Sequence, residues 1–175
     1  RVPFIVKWPK KIIPGSVSTR TICSTDFIAT IADILNVKLD EDEGVDSFSM
    51  LPLFSTESEK NYKRNYTIHH SINGSFAIRK GEYKFIFTND SGGWSFPRGN
   101  SKEAQDLPKF QLYNLKKDPA ETINLFGKFP EIENNLIDLF KNAVIKGRST
   151  NGNIQKNDLN YPSKGEWNPL SIFEQ

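Results

Sequence analysis

Apolar residues recur at helical spacing early in the chain and at alternating spacing beyond Tyr66, and this change of period divides it. Val2-Pro3-Phe4-Ile5-Val6-Lys7-Trp8-Pro9 is a short apolar run closed by proline. It predicts a strand buried inside a sheet covered on both faces, with Pro3 near its start where a missing ladder bond is tolerated. Pro14-Gly15 marks a turn. A helix follows: Ser24 or Thr25 caps it, Asp26 suits the positive end of the helix dipole, and Phe27, Ile31, Ile34 and Leu35 share a face. Asn36 stops it. A strand with a helix packed on it is the edge of an α/β layer structure.

Residues 38–47 are polar and acidic and predict a loop, and Asp40 to Glu43 within it is a solvated run of charge. Ser47-Phe48-Ser49-Met50-Leu51-Pro52-Leu53-Phe54 returns to the core as a short helical or irregular piece. The polar stretch 55–65 is expected to link two units. Strands are predicted over 66–71 and 76–79, and Lys80-Gly81-Glu82 turns the second into a hairpin arm over 83–88. Tyr83, Phe85 and Phe87 then lie on one face of that arm. Residues 90–107 predict a long loop, and 110–115 a further strand.

Asp118-Pro119-Ala120-Glu121 has the order of a helix start, with Asp as cap and Pro at the first position. The last helix is expected to begin at Pro130, to turn Leu136, Leu139, Phe140 and Val144 inward, and to end at Gly147. The resulting architecture is an α/β edge over 1–54, a linker over 55–65, and a small α+β subdomain over 66–147. In that subdomain an antiparallel sheet packs on one long C-terminal helix. An extended tail covers 148–175.

Composition adds mostly exclusions. The 175 residues are 37% hydrophobic and 25% charged, ordinary for a globular protein, and thirteen Phe give material for a core. Net charge is +2, so neither nucleic acid nor an anionic membrane is an expected partner. No apolar run reaches the roughly 18 to 20 residues of a membrane span. Arg1 is not an initiator residue, so the chain is expected to begin inside something longer. Cys23 is the only cysteine; an intrachain disulfide is excluded, and a small buried apolar side chain is expected there. Asn65, Asn73 and Asn89 each begin a glycosylation sequon, which in an Asn- and Ser-rich chain does not establish secretion.

Catalytic material is sparse. His69 and His70 are adjacent on a predicted strand, so they point to opposite faces and cannot chelate one metal as a pair. One of them can face a cleft while the other packs. Gly92-Gly93-Trp94-Ser95 offers a loop with a flat stacking surface suited to a sugar or aromatic ring; alternatively, Trp94 plugs the sheet edge. No glycine-rich phosphate loop, nucleophile elbow or acidic metal cluster is present.

Several stretches, in order, resemble the C-terminal half of type I sulfatases of the alkaline phosphatase superfamily. They are Arg1 to Pro9, Thr25-Asp26-Phe27 through Leu35, and Ser47 to Leu53. Beyond these come His69-His70-Ser71, Phe76 to Lys84 and Gly92 to Ser95. Leu112-Tyr113-Asn114-Leu115 with Asp118-Pro119, Glu121 and Asn124-Leu125, then Gly147 to Thr150, complete the series. The resemblance implies a parent enzyme that hydrolyses sulfate esters using calcium and a formylglycine, is periplasmic or secreted, and acts on a sulfated sugar or aryl sulfate. Its formylglycine arises in a Cys/Ser-x-Pro-x-Arg motif, whereas Cys23 is followed by Ser24-Thr25-Asp26-Phe27. This segment is therefore expected to carry neither cofactor nor metal ligands, to be inactive alone, and to have the N-terminal catalytic part of the same protein as its partner. What the resemblance leaves here is the alcohol side of the substrate pocket, with His69, His70, Arg79 and Trp94 as candidate substrate-binding residues. His70 is the candidate catalytic acid and His69 the fallback. A stand-alone binding module, or part of a related phosphodiesterase or phosphonate hydrolase, are the rival expectations.

Overall fold

A computed structural model describes residues 3–55, 57–99, 101–156, 160–161, 165–166 and 169–173. The chain forms two compact units. One runs up to Arg64 and takes back Arg148–Asn153; the other is Asn65–Gly147 with the chain from Ile154 onward.

In the first unit, α1 (Phe27–Leu35) ends at Asn36, which adopts the left-handed conformation expected of a stop. Its burial is the reverse of a simple amphipathic reading. Thr30 and Ala32 are buried, while Phe27, Ile31, Ile34 and Leu35 are exposed. The predicted strand also differs. Residues 3–8 take no regular secondary structure and form no ladder, and Ile5 is 90% exposed; Val2 lies outside the described residues. A strand exists only through hydrogen bonds to a neighbour, and none stands beside this run among the described residues of the unit. Phe4 instead lies edge-on to Phe27, and Trp8 to Phe54.

Asp26 organises the unit. Instead of serving the helix dipole from the surface, its carboxylate is fully buried. It accepts hydrogen bonds from the Cys23 amide at 2.9 Å, the Phe48 amide at 3.0 Å and Arg64 Nε at 3.1 Å, and Arg64 Nη2 closes the second arm. Arg64 also lies over the Phe48 ring. Burial opposes the guanidinium's charge, but hydrogen bonding to Asp26 outweighs it and raises the Arg64 pKa. Tyr62 donates to the Thr21 carbonyl at 2.9 Å, and burial, with Asp26 nearby, pushes its phenol up to about 12. Thr30 Oγ1 and Ser47 Oγ receive the Met50 and Ala29 amides, which ties the short 3₁₀ turn Leu51–Phe54 and its buried neighbour Met50 to α1. Residues 55–65, expected as a linker, are therefore folded where described. Glu59–Asn61 is a 3₁₀ turn, and Tyr62 and Arg64 are built into this buried polar cluster. Cys23 is only half-buried.

Arg148 returns the chain to this unit. It donates to Glu41 Oε1 at 2.7 Å, and Glu41 also receives the Asn153 amide. Thr150 bonds the Val45 carbonyl and the Ser149 amide bonds Asp46. The acidic run is therefore more than a solvated face: Glu41 has a fixed cationic partner.

The second unit is an antiparallel meander of β1 (Thr67–His70), β2 (Phe76–Lys80), β3 (Tyr83–Ile86) and β4 (Gln111–Asn114), in that spatial order. Helix α3 (Pro130–Lys146) covers one face. Pro130 opens α3, Glu133 folds back to receive the Gly127 and Phe129 amides, and Gly147 ends it at positive φ. Alternation decides what the sheet gives the helix: Ile78, Phe85 and Leu112 meet Leu136 and Phe140 in the core, with Phe87 and Phe110 beside them. The 3₁₀ turn Pro169–Phe173, in a region expected as tail, adds Phe173 against Phe87 and Phe140. β5 (Asn160–Tyr161) pairs with β6 (Gly165–Glu166), and the rest of the tail from residue 157 lies outside the described residues.

The long loop holds one short helix, α2 (Lys102–Gln105), capped by Ser101. The predicted helix start at Asp118 forms a turn instead. Its carboxylate accepts the Thr122 and Ile123 amides, and Glu121 sits at φ 58°, a conformation no helix propagates.

Candidate functional site

Strand register sorts the candidate residues onto two faces. His69 lies opposite Ala77, Arg79 opposite Thr67 and Lys84, and Lys84 opposite Tyr113. Residues directly opposed across antiparallel strands share a face, so His69, Arg79, Lys84 and Tyr113 occupy the side away from α3. His70 pairs with Phe76 and lies on the helix side, at the open end of β1.

The face away from α3 is polar and mainly cationic. Lys84 Nζ holds both carboxylate oxygens of Glu121, at 2.9 and 2.8 Å. The left-handed backbone of Glu121 is what delivers its side chain to a lysine many residues away. Partial burial lowers the His69 pKa, with the Lys84 charge next in effect and Glu121 working the other way. The shift favours the neutral imidazole, which can accept as well as donate. Burial raises the Tyr113 phenol, as does Glu121, and its hydroxyl donates to Gln111 Oε1 at 2.7 Å. Gln111 Nε2 in turn holds the carbonyls of Thr88 and Asp90, fixing where the long loop leaves β3. Thr67 Oγ1 is buried on this face with no hydrogen-bond partner among the described residues.

At the other end, His70 stands edge-on to Phe76, and its Nδ1 lies 3.0 Å from the Ser71 carbonyl. With Nδ1–H donating there, Nε2 is the ring's remaining polar atom. The chain then turns through 71–75, and this turn is built onto the 90–97 loop. The Asn73 amide donates to the Gly92 carbonyl, the Gly92 amide to buried Asp90, Ser91 Oγ to the Ser95 carbonyl, and the Ser91 amide to the Pro97 carbonyl. Trp94 projects from this held backbone and is 82% exposed, so it does not plug the sheet edge.

Gly92 has no substitute here. Its φ is +71°, and an added Cβ would stand 2.8 Å from Ser71 Oγ and 2.9 Å from Ser71 Cβ. Gly92→Ala is expected to cost about 1–3 kcal/mol through backbone strain and displacement of Ser71. Amide exchange should quicken across 71–75 and 90–97 while α3 keeps its protection. Unchanged exchange in both loops would show that the turn is not held as described.

The structure thus groups the four sequence-predicted residues in two pairs. His69 and Arg79 share the face away from α3, and His70 adjoins the loop that carries Trp94. Lys84 and Glu121 escaped the sequence reading. Alternation from Tyr83, Phe85 and Phe87 places Lys84 opposite the core, but only the left-handed turn reveals its partner. Among the described residues, no three His, Cys, Asp or Glu side chains are grouped to hold a metal ion.

Residues 1–100 match a family model described as N-sulphoglucosamine sulphohydrolase, C-terminal. An N-acetylgalactosamine-6-O-sulfatase of Bacteroides thetaiotaomicron is 32% identical over 148 residues, covering 82% of this chain and 27% of that protein. Human arylsulfatase A is 30% identical over 138 residues, 73% of this chain and 26% of its own length. The chain spans about a quarter of the length of these relatives. A solved structure from work on glycosaminoglycan metabolism by Bacteroides thetaiotaomicron superposes with a TM-score of 0.53 at 28% identity, over 67% of this chain and 24% of that one. A second structure, solved with D-glucosamine-2-N,6-O-disulfate, shares the fold at a TM-score of 0.56 and 21% identity, over 78% of this chain and 26% of that one.

Proposed function

This chain belongs to the sulfatases, and from that membership we propose that it forms the alcohol-side part of an enzyme that hydrolyses the sulfate ester of a sugar. The carrying observation is the hydrogen-bonded loop pair at the end of β1, which holds His70 beside a loop presenting Trp94 to solvent. Breaking a sulfate ester requires charge stabilisation at the sulfate and a proton for the leaving oxygen. The alcohol half requires shape, stacking and hydrogen bonds, and this segment offers those.

His70 is assigned to the leaving-group side, with Nδ1 anchored on Ser71 so that Nε2 serves the substrate; His69, beside Arg79 and Lys84, is the alternative and would donate from its minor protonated form. The sulfate-side chemistry, including the formylglycine and calcium that sulfatase resemblance implies, is assigned to the longer protein. The partner of this segment is that catalytic part. The outward apolar residues of α1, Phe27, Ile31, Ile34 and Leu35, are the surface it would cover.

Kinetics of the full-length protein test this. His70→Ala and His69→Ala are each assayed for sulfate release from a 6-O-sulfated hexosamine. One of them should lower kcat by about 10²–10⁴-fold if it protonates the leaving oxygen; the other, and Trp94→Ala, should act mainly on KM. The 175-residue chain alone should release no sulfate. Turnover by that chain, or full activity in all three variants, would overturn the assignment.

A further inference from the structure

Two residues outside the candidate set share the exposure of Trp94. Phe96 is 72% exposed and Ile72 69% exposed, and both lie on the same pair of loops. Large apolar side chains on a mobile loop can be left outside by default. Here the backbone is tied at five points, by the Asn73–Gly92, Ser91–Pro97, Gly92–Asp90, Ser91–Ser95 and Ser75–Asn73 hydrogen bonds. Ile72 lies directly on the backbone of Gly93, where a Cβ would come within 2.9 Å of its Cγ2. The fold therefore spends order on holding three apolar groups in water, which is the mark of a binding surface.

Size and chemistry select the occupant. At about 150–250 Å² for each large side chain when fully buried, scaled by their exposures, Trp94, Phe96 and Ile72 together offer roughly 330–560 Å², against the roughly 800 Å² per partner of a stable protein interface. Asn73, Ser91 and Ser95 are exposed on the same two loops, and Arg98 just beyond them is an exposed cation, with Lys102, Glu103 and Asp106 exposed farther along. Exposed aromatic rings set among neutral polar side chains suit the C–H face of a pyranose ring bordered by hydroxyls, and a nearby cation suits a glycan that carries sulfate. The surface is also continuous with the candidate site, since Ser71 both receives the His70 ring and packs against Gly92.

We propose that Phe96 and Ile72 extend Trp94 into a second sugar subsite, which holds the residue next to the sulfated one and makes the substrate an oligosaccharide or polysaccharide. This rests on the sulfated-sugar reading above. Its test compares kcat/KM of the full-length protein on a 6-O-sulfated hexosamine and on a tetrasaccharide carrying the same sulfated unit. In Phe96→Ala the tetrasaccharide-to-monosaccharide ratio should fall about tenfold, which corresponds to loss of a contact of about 1.4 kcal/mol. Phe96→Tyr should restore it, and Ile145→Ser, on the outer face of α3, should leave it at the wild-type value. An unchanged ratio in Phe96→Ala overturns the subsite. Should the protein release sulfate from no carbohydrate, the enzymatic reading fails separately and binding decides. Calorimetry with the desulfated tetrasaccharide should then still show affinity that weakens about tenfold in Phe96→Ala; no binding overturns the proposal. So does a dimer at micromolar concentration that Phe96→Ala abolishes, since the surface would then serve self-association.

Discussion

Arg64→Ala is expected to destabilise the first unit by about 3–5 kcal/mol, the usual cost of removing one partner from a buried ion pair. Asp26 has no solvent exposure, and the Arg64 side chain is nearly as deeply buried. Truncation strips two hydrogen bonds from a carboxylate whose remaining partners are the Cys23 and Phe48 amides and the weaker Tyr62 hydroxyl contact. The Phe48 ring also loses the cation above it. Urea unfolding of the 175-residue chain measures the effect, and the double variant Asp26→Asn with Arg64→Met separates causes. If the cost is an unpaired buried carboxylate, the double variant should recover a large part of it. A single-variant loss below about 1 kcal/mol would mean that the pair is wet and behaves as a surface bridge.

Phe140→Ala is expected to cost the second unit about 3–5 kcal/mol. The ring is 1% exposed and lies 4.2 Å, centroid to centroid, from Phe87, with Phe76 at 5.4 Å and Phe173 at 6.3 Å. It joins the sheet, the terminal 3₁₀ turn and α3 at one point, so no single neighbour can relax into the void. Phe140→Leu keeps most of the volume and should cost under about half as much. Equal losses for Ala and Leu would show that ring geometry, not volume, carries the contact.

Local rules recovered what local physics determines. Gly147 and Asn36 end helices because each accepts the left-handed conformation, Gly81 turns the hairpin, and Tyr83-Phe85-Phe87 mark a core face by alternation. Partnership is what sequence withholds. Phe4 to Val6 have strand composition, but a strand is completed only by its neighbours. Asp118-Pro119 has the letters of a helix start, yet its carboxylate closes a turn that sends Glu121 to Lys84. Asp26 reads as a dipole partner and is in fact the hub of a buried network, because Arg64 arrives from 38 residues further along. In the candidate site, the opposite facing of His69 and His70 was legible from period two alone. That Trp94 stands on a tied backbone was not, because one tie comes from Asn73 in a turn distant in sequence and the others close within an irregular loop.

The clasp of Arg148 on Glu41 has a bearing on the order of assembly. The chain leaves the first unit after Arg64 and re-enters it at Arg148, so everything between forms one long excursion. While that excursion is unstructured, bringing Arg148 to Glu41 means closing a long loop, with an entropic cost that grows as the logarithm of its length. Once the meander and α3 have condensed, the slack between the two anchor points is gone. Formation of the clasp is thus a late event that reports whether the intervening segment has folded, and a lesion at Phe140 should loosen Arg148 without touching it.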